Sequence, residues 1–331
     1  MSKILFLLNN QSEITLLDFT NEPPPNNNND HSAVSTKKLT SIDCQSLSYS
    51  FNSTVKVGQQ IFIFGSQKEE YENKYFKISI EKKNNNSSIN NNDIFECKVI
   101  VGDINNNIAG GRAISVCYDG DDYIYLVCGA SIANSSYHHR IDRFQLSTAK
   151  FEKFFDIKGC VDTDYFSFHY DGAIHSLPVN ESILYVIDIL TKSTIEYQSE
   201  DLFERLIGAC IDDNGNIYMY SKCGQFKRFN LKTKEIQPLK ENQIEIISNN
   251  NSTNNININN NNNNANDKLS LIYCPISNNV NNNNSLRGNI YLMGGRKFKN
   301  YKYSIEDNNW TPFFQDDESE RSNCGSCFIT L

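Results

Sequence analysis

The chain has 331 residues, a formal net charge of −8 and 39% hydrophobic residues, a length that fits two ordinary domains or one large all-β domain. An acidic chain without a basic run argues against duplex nucleic acid as a partner. The longest apolar run near the start, Ile4–Leu8, is too short for a signal-peptide core or a membrane span, which predicts a cytoplasmic protein with no membrane partner.

Asn accounts for 48 residues, concentrated in four biased stretches at 22–31, 84–92, 249–266 and 278–284. Such stretches have too little apolar surface to bury, so they are expected as disordered insertions in a single domain spanning 1–331. Most of the ten Cys sit in apolar runs, as Cys117, Cys128, Cys210 and Cys274 do, and are expected as reduced core residues.

In chain order, Lys3–Leu8 and Glu13–Thr20 are predicted strands, followed by Ile61–Phe64, Tyr123–Val127, Asn216–Tyr220 and Asn289–Met293. These runs are rich in β-branched and aromatic residues and are bounded by turn residues such as Asp213-Asn214-Gly215 and Gly294-Gly295. No helical periodicity is sustained; Ser199–Leu206 is the nearest candidate and is short. Cys324–Leu331 is predicted as a final strand.

Three segments align without gaps: Phe144–Phe151, Phe229–Ile236 and Tyr303–Trp310, with a weaker copy at Ile187–Thr194. Each places apolar or aromatic residues seven apart around a short polar turn. The copies start 43, 42 and 74 residues apart, and two of the Asn-rich stretches fall inside the longest interval. A repeat of about 40–50 residues with four short strands is the size of a propeller blade. A lone blade leaves an apolar face on each side, which only neighbouring blades can cover. The predicted fold is therefore all-β, a β-propeller of six four-stranded blades. One blade is closed by pairing of the N- and C-terminal strands, Cys324–Leu331 supplying the innermost.

Gly288-Asn-Ile-Tyr-Leu-Met-Gly-Gly295, followed by Tyr303 and Trp310, resembles a kelch repeat. A looser copy combines Arg112-Ala-Ile-Ser-Val116, Tyr123–Gly129 and Ile141–Phe144. Only one blade carries the full double-Gly, Tyr and Trp set; Gly65-Ser66 and Gly129-Ala130 replace the double Gly elsewhere. The resemblance implies a propeller that binds partner peptides through the B–C and D–A loops, the strands of each blade being A to D from the inside outward. It also leaves an alternative, because some kelch-type propellers are oxidases or sugar isomerases acting at the channel mouth. Cys223, Cys274, Tyr273 and Tyr170 supply ingredients of an oxidase site, but no His clearly joins them on one face.

Four cations, Arg112, Arg205, Lys268 and Arg321, each precede or begin a predicted innermost strand, in four different blades. That placement would bring them to the B–C/D–A face, where guanidinium groups suit carboxylates or phosphates. The opposing reading pairs each Arg with a neighbouring acid, Glu204 or Glu320, and the acidic stretch 316–320 lies beside Arg321.

Reactive constellations are sparse. Adjacent His138 and His139 do not share a face on extended chain, while His169 and His175 bracket a tight turn where both could reach one ion, with no third ligand identifiable. Cys324-Gly-Ser-Cys327 is the sole C-x-x-C and has no second pair. Asp119-Gly-Asp-Asp122 resembles the opening of a calcium loop without its later ligands. The expectation is a non-catalytic, monomeric protein-binding adaptor that holds no metal or cofactor and recognises another protein, through an acidic segment. The alternative is a propeller enzyme acting on a sugar or small molecule.

Overall fold

The computed structural model describes residues 3–9, 13–19, 35–39, 47, 50–83, 94–104, 108, 110–132, 136–157, 164–202, 205–242, 267–276 and 288–331. Among these, 24 strands form six sheets, each of four antiparallel strands, and the fold is a six-bladed β-propeller. Helix is limited to a 3-10 turn at Glu69–Tyr71 and one turn, α1, at Gly295–Phe298. By internal packing the chain divides into two compact units, Met1–Arg205 with Cys324–Leu331, and Leu206–Asn323.

The first unit holds four sheets. One contains β1 (Lys3–Leu8), β2 (Ile14–Asp18) and β3 (Ser35–Leu39), completed by the chain's last strand, Ser326–Thr330, on the other side of β1. Lys3 lies opposite Thr330 and Leu7 opposite Ser326, so the two ends of the chain close this blade as the sequence predicts. The second sheet is β4 (Thr54–Val57), β5 (Gln60–Phe64), β6 (Lys74–Lys83) and β7 (Ile94–Asp103). The third is β8 (Ser115–Tyr118), β9 (Tyr123–Val127), β10 (Arg140–Gln145) and β11 (Lys150–Asp156); the fourth is β12 (Tyr165–Tyr170), β13 (Ala173–Pro178), β14 (Ile183–Asp188) and β15 (Thr194–Gln198).

The second unit holds two sheets. They are β16 (Leu206–Ile211), β17 (Asn216–Ser221), β18 (Phe226–Asn230) and β19 (Ile236–Pro238), then β20 (Ser270–Pro275), β21 (Gly288–Met293), β22 (Asn300–Ser304) and β23 (Asn309–Pro312). The closing strand Ser326–Thr330 of the first unit is β24. The Asn-rich stretches fall in the β2–β3, β6–β7, β19–β20 and β20–β21 connections, and all four lie outside the described residues.

Alternation explains why each blade needs neighbours. On β5, Ile61 and Ile63 join Ile4, Phe6 and Leu8 of β1, while Phe62 and Phe64 join Ile114, Val116, Ile124 and Leu126 of the third blade. Successive side chains of one strand thus enter two separate cores, and each such residue contributes about 1.5–3 kcal/mol of burial.

The four aligned repeats are the hairpins between the third and fourth strands of their blades. The seven-apart residues are cross-strand partners: Phe144 with Phe151, Ile187 with Thr194, Phe229 with Ile236 and Tyr303 with Trp310. The sixth residue of every copy is left-handed: Ala149 (φ 53°), Lys192 (54°), Lys234 (62°) and Asn308 (47°). In three copies the second residue closes the turn through its side-chain oxygen, Ser304 Oγ accepting the Asp307 amide at 3.2 Å in one of them. Asp188 Oδ1 accepts the Leu190 and Thr191 amides at 2.9 and 2.7 Å, and Asn230 Oδ1 accepts those of Lys232 and Thr233, both at 2.9 Å.

Candidate interaction surface

In the third blade, the loop entering β8 and the loop joining β9 to β10 run side by side. Arg112 N donates to Ala130 O (2.9 Å) and Ala130 N donates to Arg112 O (3.0 Å). Ala130 in turn bridges Tyr137, so Arg112 and Tyr137 flank it on a small antiparallel ladder. Glycine makes the approach possible: Gly111, at φ 135°, has no Cβ to strike the Ala130 carbonyl. The Arg112 residue is exposed and Tyr137 is 53% exposed, so a cationic and a phenolic side chain reach solvent from adjacent chain segments.

The ladder stands on a buried support. Glu72 is 5% exposed; its Oε1 accepts the Ile132 amide at 2.8 Å and its carbonyl accepts the Gly111 amide at 2.8 Å, tying both loops to the second blade. The His138 ring hydrogen-bonds the Gly110 carbonyl, and its Nε2 is buried with no hydrogen-bond partner among the described residues. Burial of the ring, reinforced by nearby Arg140, lowers the His138 pKa and keeps it neutral at neutral pH. His139 is exposed, and Arg140 pairs with buried Asp142 at 2.9 Å.

The four sequence-predicted cations separate by burial. Arg112 and Arg205 are exposed in the first unit; Arg205 sits at φ 64° directly before β16, and Glu204 lies outside the described residues. In the second unit Lys268 is 4% and Arg321 2% exposed. Arg321 donates through Nε and Nη2 to the two carboxylate oxygens of Asp317, at 2.5 and 3.1 Å. The acid beside it in sequence, Glu320, pairs instead with Arg296. Asn300 completes the cluster: its Oδ1 accepts the Gly294 and Gly295 amides and its Nδ2 donates to Asp317. Gly295, at φ 61°, lets this strap pass, since a Cβ there would strike the Ser319 carbonyl. Lys268 is fixed by its backbone, which exchanges hydrogen bonds with Asn323 at 2.7 and 2.8 Å. The double glycine and Arg321 therefore build one structural knot, with its charge turned inward.

The other candidate chemistries resolve into turns and core. Phe168 lies opposite His175 and His169 opposite Ile174, so strand alternation puts the two His on opposite faces of the β12–β13 hairpin. Among the described residues no cluster of three or more His, Cys, Asp or Glu could hold a metal. Asp119 Oδ1 accepts the Asp121 and Tyr123 amides, and Asp122 accepts the Ser147 hydroxyl and amide and the Gln145 amide group. These bonds, the Ser147 hydroxyl foremost, lower the Asp122 pKa. Cys324 is 1% exposed, and burial pushes the Cys327 thiol up to about 12, the reverse of a redox-active thiolate. Tyr273 and Cys274 are neighbours on β20, Cys223 is exposed in the β17–β18 turn, and Tyr170 ends β12 in the first unit.

Tyr137 has no sequence motif. Its place follows from the β9–β10 hairpin continuing past Val127 as far as the Ala130–Tyr137 bridge, through Cys128 and Gly129 at positive φ (56° and 108°). No helix among the described residues is long and apolar enough to cross a membrane.

No family model matches the chain, and no curated protein matches it. Among solved structures, a chain from the crystal structure of a nidogen/laminin complex aligns over 100% of this chain and 99% of its own length, at 11% identity and a TM-score of 0.57. That similarity is one of fold, and it agrees with six four-stranded blades.

Proposed function

We propose that this chain is a non-catalytic, cytoplasmic adaptor built from degenerate kelch repeats, which captures an acidic or phosphorylated segment of another protein on its B–C/D–A loop surface. The observation that carries the reading is the exposure of Arg112 and Tyr137 on either side of Ala130, a cationic and an aromatic residue presented by neighbouring loops braced by buried Glu72. Guanidinium binds carboxylate or phosphate with two parallel hydrogen bonds, and Tyr adds contact area at low entropic cost. Arg205 supplies a second exposed cation, whereas Lys268 and Arg321 hold their own loops together. The kelch assignment is supported by the Gly294-Gly295 knot and by the cross-strand Tyr303–Trp310 pair. The similar chain comes from the crystal structure of a nidogen/laminin complex, which suits a propeller used as a binding platform.

The test is binding to arrayed acidic and phosphorylated peptides, followed by titration of the best sequences against wild type, Arg112→Glu, Tyr137→Ala and Arg205→Glu. Loss of at least about tenfold in affinity for Arg112→Glu, with unchanged circular dichroism, supports the reading. Equal affinity of wild type and all three variants sinks it.

A further inference from the structure

The hairpin from β16 to β17 turns on Asp212-Asp213-Asn214-Gly215, and Asn214-Gly215 is the one Asn-Gly pair in the chain. Asp213 and Asn214 are exposed at the tip, Gly215 takes a φ of 76°, and Asp212 behind them is 4% exposed. The buried Asp212 carboxylate organises the turn. Its Oδ1 accepts the Asn214 and Asn216 amides, both at 2.9 Å; its Oδ2 accepts the Asn216 side-chain amide at 2.8 Å and the Tyr218 hydroxyl at 3.2 Å. Among the described residues no hydrogen bond holds the Asn214 side chain.

We propose that Asn214 is a spontaneous modification site, which loses ammonia to become isoaspartate and thereby loosens the blade of β16–β19. The argument is one of access. A main-chain nitrogen can attack the side-chain carbonyl carbon of the residue before it, and it is least hindered where its own residue has no Cβ. Asn214 combines such a neighbour with a side chain at liberty to turn toward it. Asn216 has neither, since Ile217 follows it and Asp212 and Asn230 hold its side chain. Asp119 and Asp171 also precede Gly, but a carboxylate is a poorer electrophile than an amide, and Asp119 Oδ1 is tied to the Asp121 and Tyr123 amides. The Gly215 nitrogen donates to the Asp212 carbonyl at 3.2 Å, so this bond sets the pace. It is one bond at the long end of the range on an exposed tip, and opening it is a local event that leaves the rest of the blade folded.

The chemistry balances with water alone. The Gly215 nitrogen gives its proton to solvent and bonds to Asn214 Cγ; the Cγ–Nδ2 bond breaks, and ammonia leaves with a proton from solvent. Water then opens the ring imide. Cleavage at Cγ leaves aspartate at position 214, whereas cleavage at the main-chain carbonyl leaves isoaspartate, with the chain running through Cγ. Isoaspartate lengthens the main chain by one methylene between the two amides that Asp212 Oδ1 accepts. Gly215 and Asn216 must then shift against Asp212, and so must Leu231, whose amide donates to the Gly215 carbonyl at 2.9 Å. A buried carboxylate that loses a donor is costly. This goes beyond the loop-surface reading and does not depend on it.

The experiment ages the full chain at neutral pH and constant temperature, as wild type and Asn214→Gln, and follows position 214 by digestion and mass spectrometry. Isoaspartate is read by methyl transfer from S-adenosylmethionine with an isoaspartyl methyltransferase, and stability by urea midpoints. Position 214 of wild type should gain the mass of an amide-to-acid change and accept methyl groups. Asn214→Gln, whose amide must close a larger ring, should react at least about tenfold more slowly. Aged wild type should have a lower midpoint than fresh wild type, whereas fresh Asn214→Asp, with the charge but not the longer chain, should stay near it. An Asn214 that remains an amide while the same chain held in urea converts overturns the proposal. So does conversion that leaves the midpoint unchanged, or a fresh Asn214→Asp as unstable as the aged chain.

Discussion

Tyr303 and Trp310 lie directly opposite each other on β22 and β23, their ring centroids 5.1 Å apart, and both pack on Phe226 of the preceding blade at 4.9 and 5.0 Å. The indole Nε1 also donates to the Lys240 carbonyl at 2.8 Å, tying the strap after β19 to this corner. The first unit repeats the arrangement: Phe144 and Phe151, 4.6 Å apart, pack on Phe64 and Tyr75. The seven-residue spacing is thus a wedge, a cross-strand ring pair set against the neighbouring blade.

Removing the wedge in the second unit should be costly. Trp310→Ala deletes three ring contacts and one hydrogen bond, and is expected to destabilise the fold by about 2–4 kcal/mol, somewhat under a fully buried Trp because the ring is half-buried. Chemical denaturation followed by far-ultraviolet circular dichroism measures it. Trp310 is the single Trp of the chain, so wild-type fluorescence reports this corner directly. A loss below about 0.5 kcal/mol would show that the wedge is ornamental.

The left-handed sixth position of the hairpins makes the opposite prediction. Ala149 and Lys192 occupy φ values of 53° and 54°, a region that costs a Cβ-bearing residue about 1–2 kcal/mol. Gly removes that strain and adds some unfolded-state entropy, for a net gain of about 0.5–1 kcal/mol at each site. Ala149→Gly and Lys192→Gly should raise the denaturation midpoint, separately and additively, since they sit in different blades. A fall in midpoint for either would mean that the turn does not hold its left-handed residue in solution.

The blades were legible because repeat spacing encodes strand pairing: residues seven apart around a fixed turn must face one another, and the chain states this three times in nearly the same residues. Closure by Lys3–Leu8 and Ser326–Thr330 was legible for the same reason, as incomplete blades at both ends complete each other. The burial of Arg321 was not. Sequence shows a cation ahead of an inner strand and acids beside it, but the choice of Asp317 over Glu320 depends on a bend that brings position 317 under the guanidinium. That bend exists because Gly295 admits the Ser319 carbonyl, a contact between segments 24 residues apart with no pattern to announce it. Tyr137 was missed on similar grounds, since its place across Ala130 from Arg112 is set by two bridges.

The Arg321–Asp317 pair gives a prediction with a built-in control. Both side chains are 2% exposed, so removing one partner strands a buried charge, at a cost of about 3–5 kcal/mol. Arg321→Met and Asp317→Leu should each lose that much in urea denaturation. The double variant should regain most of it, because the desolvation penalty goes with the charges. A double variant as unstable as the sum of the singles would assign the loss to packing around Asn300 instead.

Acid should weaken the first unit through its histidines. Burial is the main cause that lowers the pKa values of His138 and His169 below the ordinary 6.5, so the unfolded chain takes up protons there that the folded chain refuses. Where the unfolded state binds more protons, stability rises with pH. The contribution of these residues is therefore complete above pH 6.5 and is lost as pH falls from 6.5 toward the lowered values. Asp122 and Asp188, held below 3.8 by hydrogen bonds to Ser147 and Thr191, titrate outside this window. Urea midpoints taken between about pH 7.5 and 5.5 should decline for wild type and flatten for the His138→Gln, His169→Gln double variant. A double variant with the wild-type slope would place the acid sensitivity elsewhere, and an unchanged wild-type midpoint would mean that both rings protonate as freely in the fold as in water.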